Sequence, residues 1–87
     1  MIYFLPGELY EQEQIEVLIL KCNNLRYIDP KIGQLINLET LDLRGNVKLA
    51  SLPESLINCP KLIDIRLSND MKLIDLPMAL ESKVTFY

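Results

Sequence analysis

Apolar residues recur along this chain at two nested intervals. At the short interval, Leu18 and Leu20, Leu41 and Leu43, and Ile65 and Leu67 alternate with other residue types. Period two suits a strand that sends every second side chain into a core. At the long interval, Leu38, Leu41, Leu43, Asn46, Leu49, Leu52, Pro53 and Leu56 recur 24 residues on as Leu62, Ile65, Leu67, Asp70, Leu73, Leu76, Pro77 and Leu80. Moving back 23 residues gives Ile15, Leu18, Leu20 and Asn23, and moving back 24 gives Leu25, Ile28, Ile32 and Leu35. The difference is one insertion after the asparagine, where Asn23-Asn24-Leu25 becomes Asn46-Val47-Lys48-Leu49. A fixed period of this length marks a stacked-repeat architecture.

A turn of about two dozen residues returns the chain beside its previous strand, so the strands are expected to pair in parallel. Each copy touches only its neighbours and cannot bury its apolar face alone. The outer segments are expected near Pro30, Pro53 and Pro77, as short helical or 3-10 turns, because proline is tolerated in a first helical turn. Asp29 is placed to cap the first of them. Pro30 stands one place later than its counterparts, so that segment should begin differently. Ile2, Leu5, Pro6, Leu9 and Ile15 lie 47 residues before Leu49, Leu52, Pro53, Leu56 and Leu62. The chain is therefore read as one domain over 1–87, with a partial repeat at 1–14 and repeats at 15–37, 38–61 and 62–87. Val84-Thr85-Phe86 reads as a shortened last strand.

The motif L-x-x-L-x-L-x-x-N followed by L-P-x-x-L resembles the short intracellular leucine-rich repeats. Ile32-Gly33-Gln34-Leu35-Ile36-Asn37-Leu38 is similar to the I-G-x-L-x-N-L segment of that family. The resemblance covers residues 2 to 80. It implies an α/β solenoid: a right-handed coil with a short parallel β-sheet on the concave side and short helical or 3-10 turns on the convex side. It also implies that ligands are met on the concave sheet face.

The asparagine position has a physical reason. A sharp turn after each strand leaves backbone polar groups inside, and a side-chain amide offers both donors and an acceptor. Asn23 and Asn46 are thus expected to form a structural ladder, as the family resemblance supports; the alternative is asparagine as an ordinary turn former. Asp70 completes the ladder by position, but a buried carboxylate lacks donors unless protonated. The last turn is expected to be looser or more exposed.

Residues flanking the inward positions face outward in three columns: Val17, Thr40 and Asp64; Ile19, Asp42 and Arg66; Lys21, Arg44 and Ser68. These nine are the candidate partner-binding residues. Asp42 and Arg66 are neighbours down one column, and cross-strand ion pairs there would make a self-paired surface. Against that, exposed Val17 and Ile19 invite contact, and arginine is favoured at interface anchors. Tyr3, Tyr10, Tyr27 and Tyr87 fall off the anchor positions and are expected as exposed cover for the coil ends. Cys59 replaces the Leu35 anchor and should be a buried apolar thiol, while Cys22 aligns with Gly45 and Asn69 at the strand exit.

Composition narrows the function. The hydrophobic fraction of 49% argues against disorder. There is no histidine, and the two cysteines make neither a disulfide framework nor a metal cluster, so no metal or cofactor is expected. No nucleophile–base pair, phosphate loop or ligand spacing stands out, and the sequence does not read as an enzyme or show a catalytic residue. The net charge of −3 disfavours nucleic acid. No apolar run is long enough to span a membrane or serve as a secretory signal, which fits a cytoplasmic setting. The expected role is a protein–protein interaction module. The alternatives are a small acidic inhibitor or immunity-type protein, and a self-assembling structural unit. Both ends look uncapped, so the chain is a piece of something longer, is capped by its terminal aromatics, or self-associates through its ends or edge strand.

Overall fold

Four short strands carry the alternating segments: β1 (Val17–Ile19), β2 (Thr40–Asp42), β3 (Asp64–Leu67) and β4 (Val84–Phe86). The computed structural model describes residues 7–21, 23–72 and 75–87. The strands form one sheet in sequence order, β1-β2-β3-β4, and every pairing is parallel. The register is the one the repeat spacing dictates: Val17 pairs with Thr40 and Thr40 with Asp64, and Ile19 pairs with Asp42 and Asp42 with Arg66. Backbone bonds continue the ladder past the strand ends, from Leu20 N–H to the Asp42 carbonyl at 2.8 Å and from Leu43 N–H to the Arg66 carbonyl at 2.9 Å. Val84-Thr85-Phe86 is the expected last strand, and its ladder runs on through Tyr87 N–H to the Leu67 carbonyl at 2.9 Å.

Between strands the chain runs through 3-10 segments: η1 (Gly7–Glu11), η2 (Pro30–Gln34), η3 (Glu54–Asn58) and η4 (Met78–Lys83). Their starts follow from proline. Asp29 caps η2 by accepting the Lys31 N–H at 2.9 Å, with Pro30 just inside the segment. Pro53 and Pro77 instead stand before the first turn of η3 and η4 and make no side-chain cap bond. That is the difference expected from the one-residue offset of Pro30. Packing between η2 and η3 is close at Gly33, where an added Cβ would lie 2.7 Å from the Ser55 carbonyl oxygen. The glycine of the I-G-x-L segment is therefore there for closeness of approach.

The interior is one continuous aliphatic stack. Leu18, Leu20, Leu41, Leu43, Ile65 and Leu67 enter it from the strands, and Leu25, Leu49, Ile32, Leu56, Leu80, Leu35 and Cys59 from the turns. Cys59 is fully buried, donates from Sγ to the Ile32 carbonyl, and has its thiol pKa raised by burial. One tyrosine departs from the expectation of exposed cover: Tyr10 is buried in the core cluster, because η1 lays it against the next repeat. Ile2, Tyr3, Leu5, Pro6, Cys22 and Leu73, which the repeat pattern or composition singled out, lie outside the described residues.

Candidate functional site

The outward face of the sheet begins with an apolar edge. Val17 and Ile19 on β1 are 57% and 63% exposed, because Leu18 takes the inward direction between them. On β2 and β3 the same columns turn polar, and each aspartate is paired with the arginine two residues on. Arg44 folds back on Asp42 with Nε donating to Oδ1 at 2.9 Å and Nη2 donating to Oδ2 at 2.8 Å, while the Arg44 backbone N–H adds a bond to Oδ1 at 3.2 Å. Arg66 donates from Nε to Asp64 Oδ2 at 2.8 Å. Cross-strand pairing of Asp42 with Arg66 was one of the two readings the columns left open; the ion pairs instead join residues two apart along the chain. Residues two apart share a strand face about 7 Å from each other, well within an arginine's reach. The fork can then meet the carboxylate side on.

This arrangement sets the electrostatics. Asp42 is only 2% exposed although it stands on the outward side, because Arg44 lies across it. The hydrogen bonds from Arg44 hold the Asp42 carboxyl below its ordinary pKa, against the opposing effect of burial, with further help from Lys21. Asp42 and Asp64 in turn raise the pKa of Arg44 and Arg66. Both guanidinium groups keep contact with solvent, the Arg44 side chain at 29% and that of Arg66 at 38%.

Tyr87 belongs to the same face, and the repeat pattern missed it. It continues β4 beside Ser68, and the Arg44 guanidinium carbon sits 4.7 Å from its ring centroid, cation–π distance. The signal was available in principle, since extending the Leu67–Phe86 pairing by one residue puts Tyr87 in the row of Lys21, Arg44 and Ser68. Residue counting from the repeat hides it, because the last turn is shorter. Ser68, another of the nine, is half-buried and accepts the Gly45 N–H at 2.9 Å with Oγ. Its hydroxyl thus serves the turn after β2. Thr40 is half-buried, and Lys21 is exposed at the strand exit.

The ladder residues divide unequally. Asn46 is fully buried, and its amide holds the turn after β1 to the turn after β2. Oδ1 accepts the N–H groups of Asn23 at 3.1 Å and Leu25 at 3.0 Å, and Nδ2 donates to the carbonyls of Leu20 at 2.9 Å and Leu43 at 2.8 Å. Asn23 is half-buried and takes part through its backbone. Asp70 is exposed; the interior beside it is filled by Met71, whose Sδ accepts the Ser68 N–H at 3.3 Å. Asn24 supplies the turn after β1 with a left-handed φ of 60°, and Gly45 supplies the next with 84°, a conformation open to glycine and tolerated by asparagine.

A second polar column runs along the entry to the strands. Asn37 Nδ2 donates to the Glu13 carbonyl at 2.7 Å, and Lys61 Nζ donates to Asn37 Oδ1 at 2.9 Å, each contact reaching one repeat along. These residues are spent on holding the stack together. No helix among the described residues is long and apolar enough to cross a membrane.

Comparison with known proteins agrees with the repeat fold. Among curated proteins, the chain is similar to Protein SUPPRESSOR OF npr1-1, CONSTITUTIVE 1 of Arabidopsis thaliana, with 45% identity over 63 residues. The match covers 67% of this chain but 4% of that protein, so the chain corresponds to a small part of its relative's length. No solved structure matches it. The family model described as Leucine rich repeat matches residues 13–71. With that match over most of its length and a parallel sheet built from its L-x-L segments, the chain belongs to the leucine-rich-repeat family.

Proposed function

We propose that the chain is a protein–protein interaction module, that its sheet forms the concave side of a right-handed coil, and that a protein partner is held on the three outward columns. Leucine-rich-repeat domains generally mediate protein–protein contact, which makes this the natural class. The observation that supports this face is that exposed Val17 and Ile19 share it with arginines already fixed by their aspartates. Exposed β-branched residues supply apolar contact area. Ordered arginines supply donors whose side-chain entropy has largely been lost before binding.

The test is a comparison of three proteins in capture from the source tissue: the parent, Ile19→Asp and Ile57→Ser. Ile57 is exposed on η3, away from the sheet, and serves as the control. A partner kept by the parent and by Ile57→Ser but lost by Ile19→Asp supports the sheet face. A partner kept by Ile19→Asp and lost by Ile57→Ser moves the contact to the turn side and refutes the reading.

A further inference from the structure

The charge of the outward face runs against the charge of the chain. Overall the net charge is −3. On the three columns, Lys21, Arg44 and Arg66 stand against Asp42 and Asp64, a surplus of one positive charge. The two carboxylates are engaged by the arginines two residues on, and Asp42 is shielded from solvent. The arginines are not exhausted by these contacts. A guanidinium has five N–H donors; Arg44 spends Nε and one Nη2 hydrogen on Asp42, and Arg66 spends Nε alone on Asp64. What remains exposed is a pair of oriented cations with unspent donors, flanked on β1 by Val17 and Ile19. Glu16 and Glu39 precede β1 and β2, so acidic residues stand at strand entry and Lys21 and Arg44 at strand exit.

From this we infer that the outward face receives an extended acidic peptide segment, seating an aliphatic side chain on Val17 and Ile19 and a glutamate or aspartate carboxylate on the Arg44–Arg66 pair. The inference rests on the proposed binding face and adds the chemistry of what is bound there. Arginine meets a carboxylate in a planar, two-bond fit, which a fixed guanidinium makes directional. Spacing follows from the sheet. Ile19 and Arg66 occupy one register row two strands apart, about 10 Å at the usual strand separation. An extended chain covers about 3.3 Å per residue and turns every second side chain the same way, so a segment crossing the strands needs its aliphatic and acidic residues two apart, about 7 Å, with the length of the acidic side chain spanning the rest. Tyr87, beneath Arg44, gives that segment a ring edge at the far side of the site.

The test uses synthetic decapeptides in a serine–glycine background, with isoleucine and glutamate two residues apart so that both side chains share one face, labelled for fluorescence anisotropy and titrated with the full chain. Matched peptides carry glutamine or lysine in place of glutamate. The glutamate peptide is expected to bind at least about ten-fold more tightly than the glutamine peptide. It should weaken as salt is raised, since partly exposed charges are screened. Arg66→Ala should weaken it by about ten-fold or more; the half-buried Asp64 that this leaves can be solvated, so the fold is kept. Ile19→Asp should abolish it. Equal binding of the glutamine or lysine peptide, indifference to Arg66→Ala, or displacement by inorganic phosphate at equal concentration would overturn the inference. If the peptides fail while Ile19→Asp still abolishes capture of the natural partner, the face stands as the binding site and only its acidic ligand falls. If both fail, the face itself is wrong.

Discussion

Replacing Asn46 tests the physics of the repeat most directly. In Asn46→Ala, the N–H of Leu25 and the carbonyl of Leu20 lose the bonds they make to the amide in the interior. The Leu43 carbonyl keeps the Asn46 backbone N–H as a donor at 3.3 Å, and half-buried Asn23 can reach water. Two orphaned buried groups, at about 1–3 kcal/mol each, and a small void give a loss of roughly 3–5 kcal/mol. A chain of 87 residues has a total stability of roughly 4–13 kcal/mol, so this one amide accounts for about a quarter of it or more. With a urea slope of about 1.5 kcal/mol/M, the midpoint should fall by roughly 2–3 M, followed by far-ultraviolet circular dichroism. Asn46→Asp sharpens the test. A carboxylate can still accept from Asn23 and Leu25 but puts negative charge against two carbonyls, so its folded pKa should lie above the ordinary aspartate value of about 3.9. The folded state then binds more protons than the unfolded one between those two values, and stability falls as pH rises through that window. Relative to the parent, Asn46→Asp should therefore be less unstable in mild acid than at neutral pH. A midpoint shift below about 0.7 M for Asn46→Ala, roughly 1 kcal/mol, would refute the ladder and leave Asn46 an ordinary turn former.

Three further outcomes follow from other features. Because Asp42 has its pKa lowered from 3.8 by Arg44, it contributes stability that is present above 3.8 and lost as pH falls through its folded value. Asp42→Asn should accordingly show a flatter decline in thermal midpoint below pH 3.8 than the parent, and a parallel decline would deny the pair a role. Gly33→Ala should destabilise by about 1–3 kcal/mol through the clash with Ser55; relief of glycine's backbone entropy alone would stabilise by about 0.5–1 kcal/mol, so the sign of the shift in thermal midpoint decides. Cys59, buried and with a raised pKa, should resist alkylation until the chain unfolds, read at that residue by mass spectrometry; modification of the folded protein at the rate of a free thiol would place it outside the core.

The fold was open to a reading of residues because each turn contacts only the next, which makes the structure nearly one-dimensional. Leu18 and Leu20 must be inward if Leu41 and Leu43 are, and a shift of 23 or 24 residues then fixes which side chains share a column. Proline constrains its own φ, so the starts of η2, η3 and η4 were visible as well. The candidate site was legible by position but not by partner. Val17 and Ile19 are exposed as expected, whereas Asp42 is buried under Arg44, and Tyr87 joins from a strand whose spacing departs from the repeat.

What the sequence determined by itself was the aliphatic stack, the parallel register and the turn positions, set by the period-two alternation within each strand, by the repeat of 23 or 24 residues between strands and by the prolines. Tertiary structure alone decided how the polar groups are spent. Arg44 turns back to Asp42 and lies on Tyr87, and Asn46 takes four backbone partners while Met71 fills the place beside Asp70. Long polar side chains have many rotamers of similar energy. Which partner wins depends on distances between turns, and those exist only once the turns are stacked.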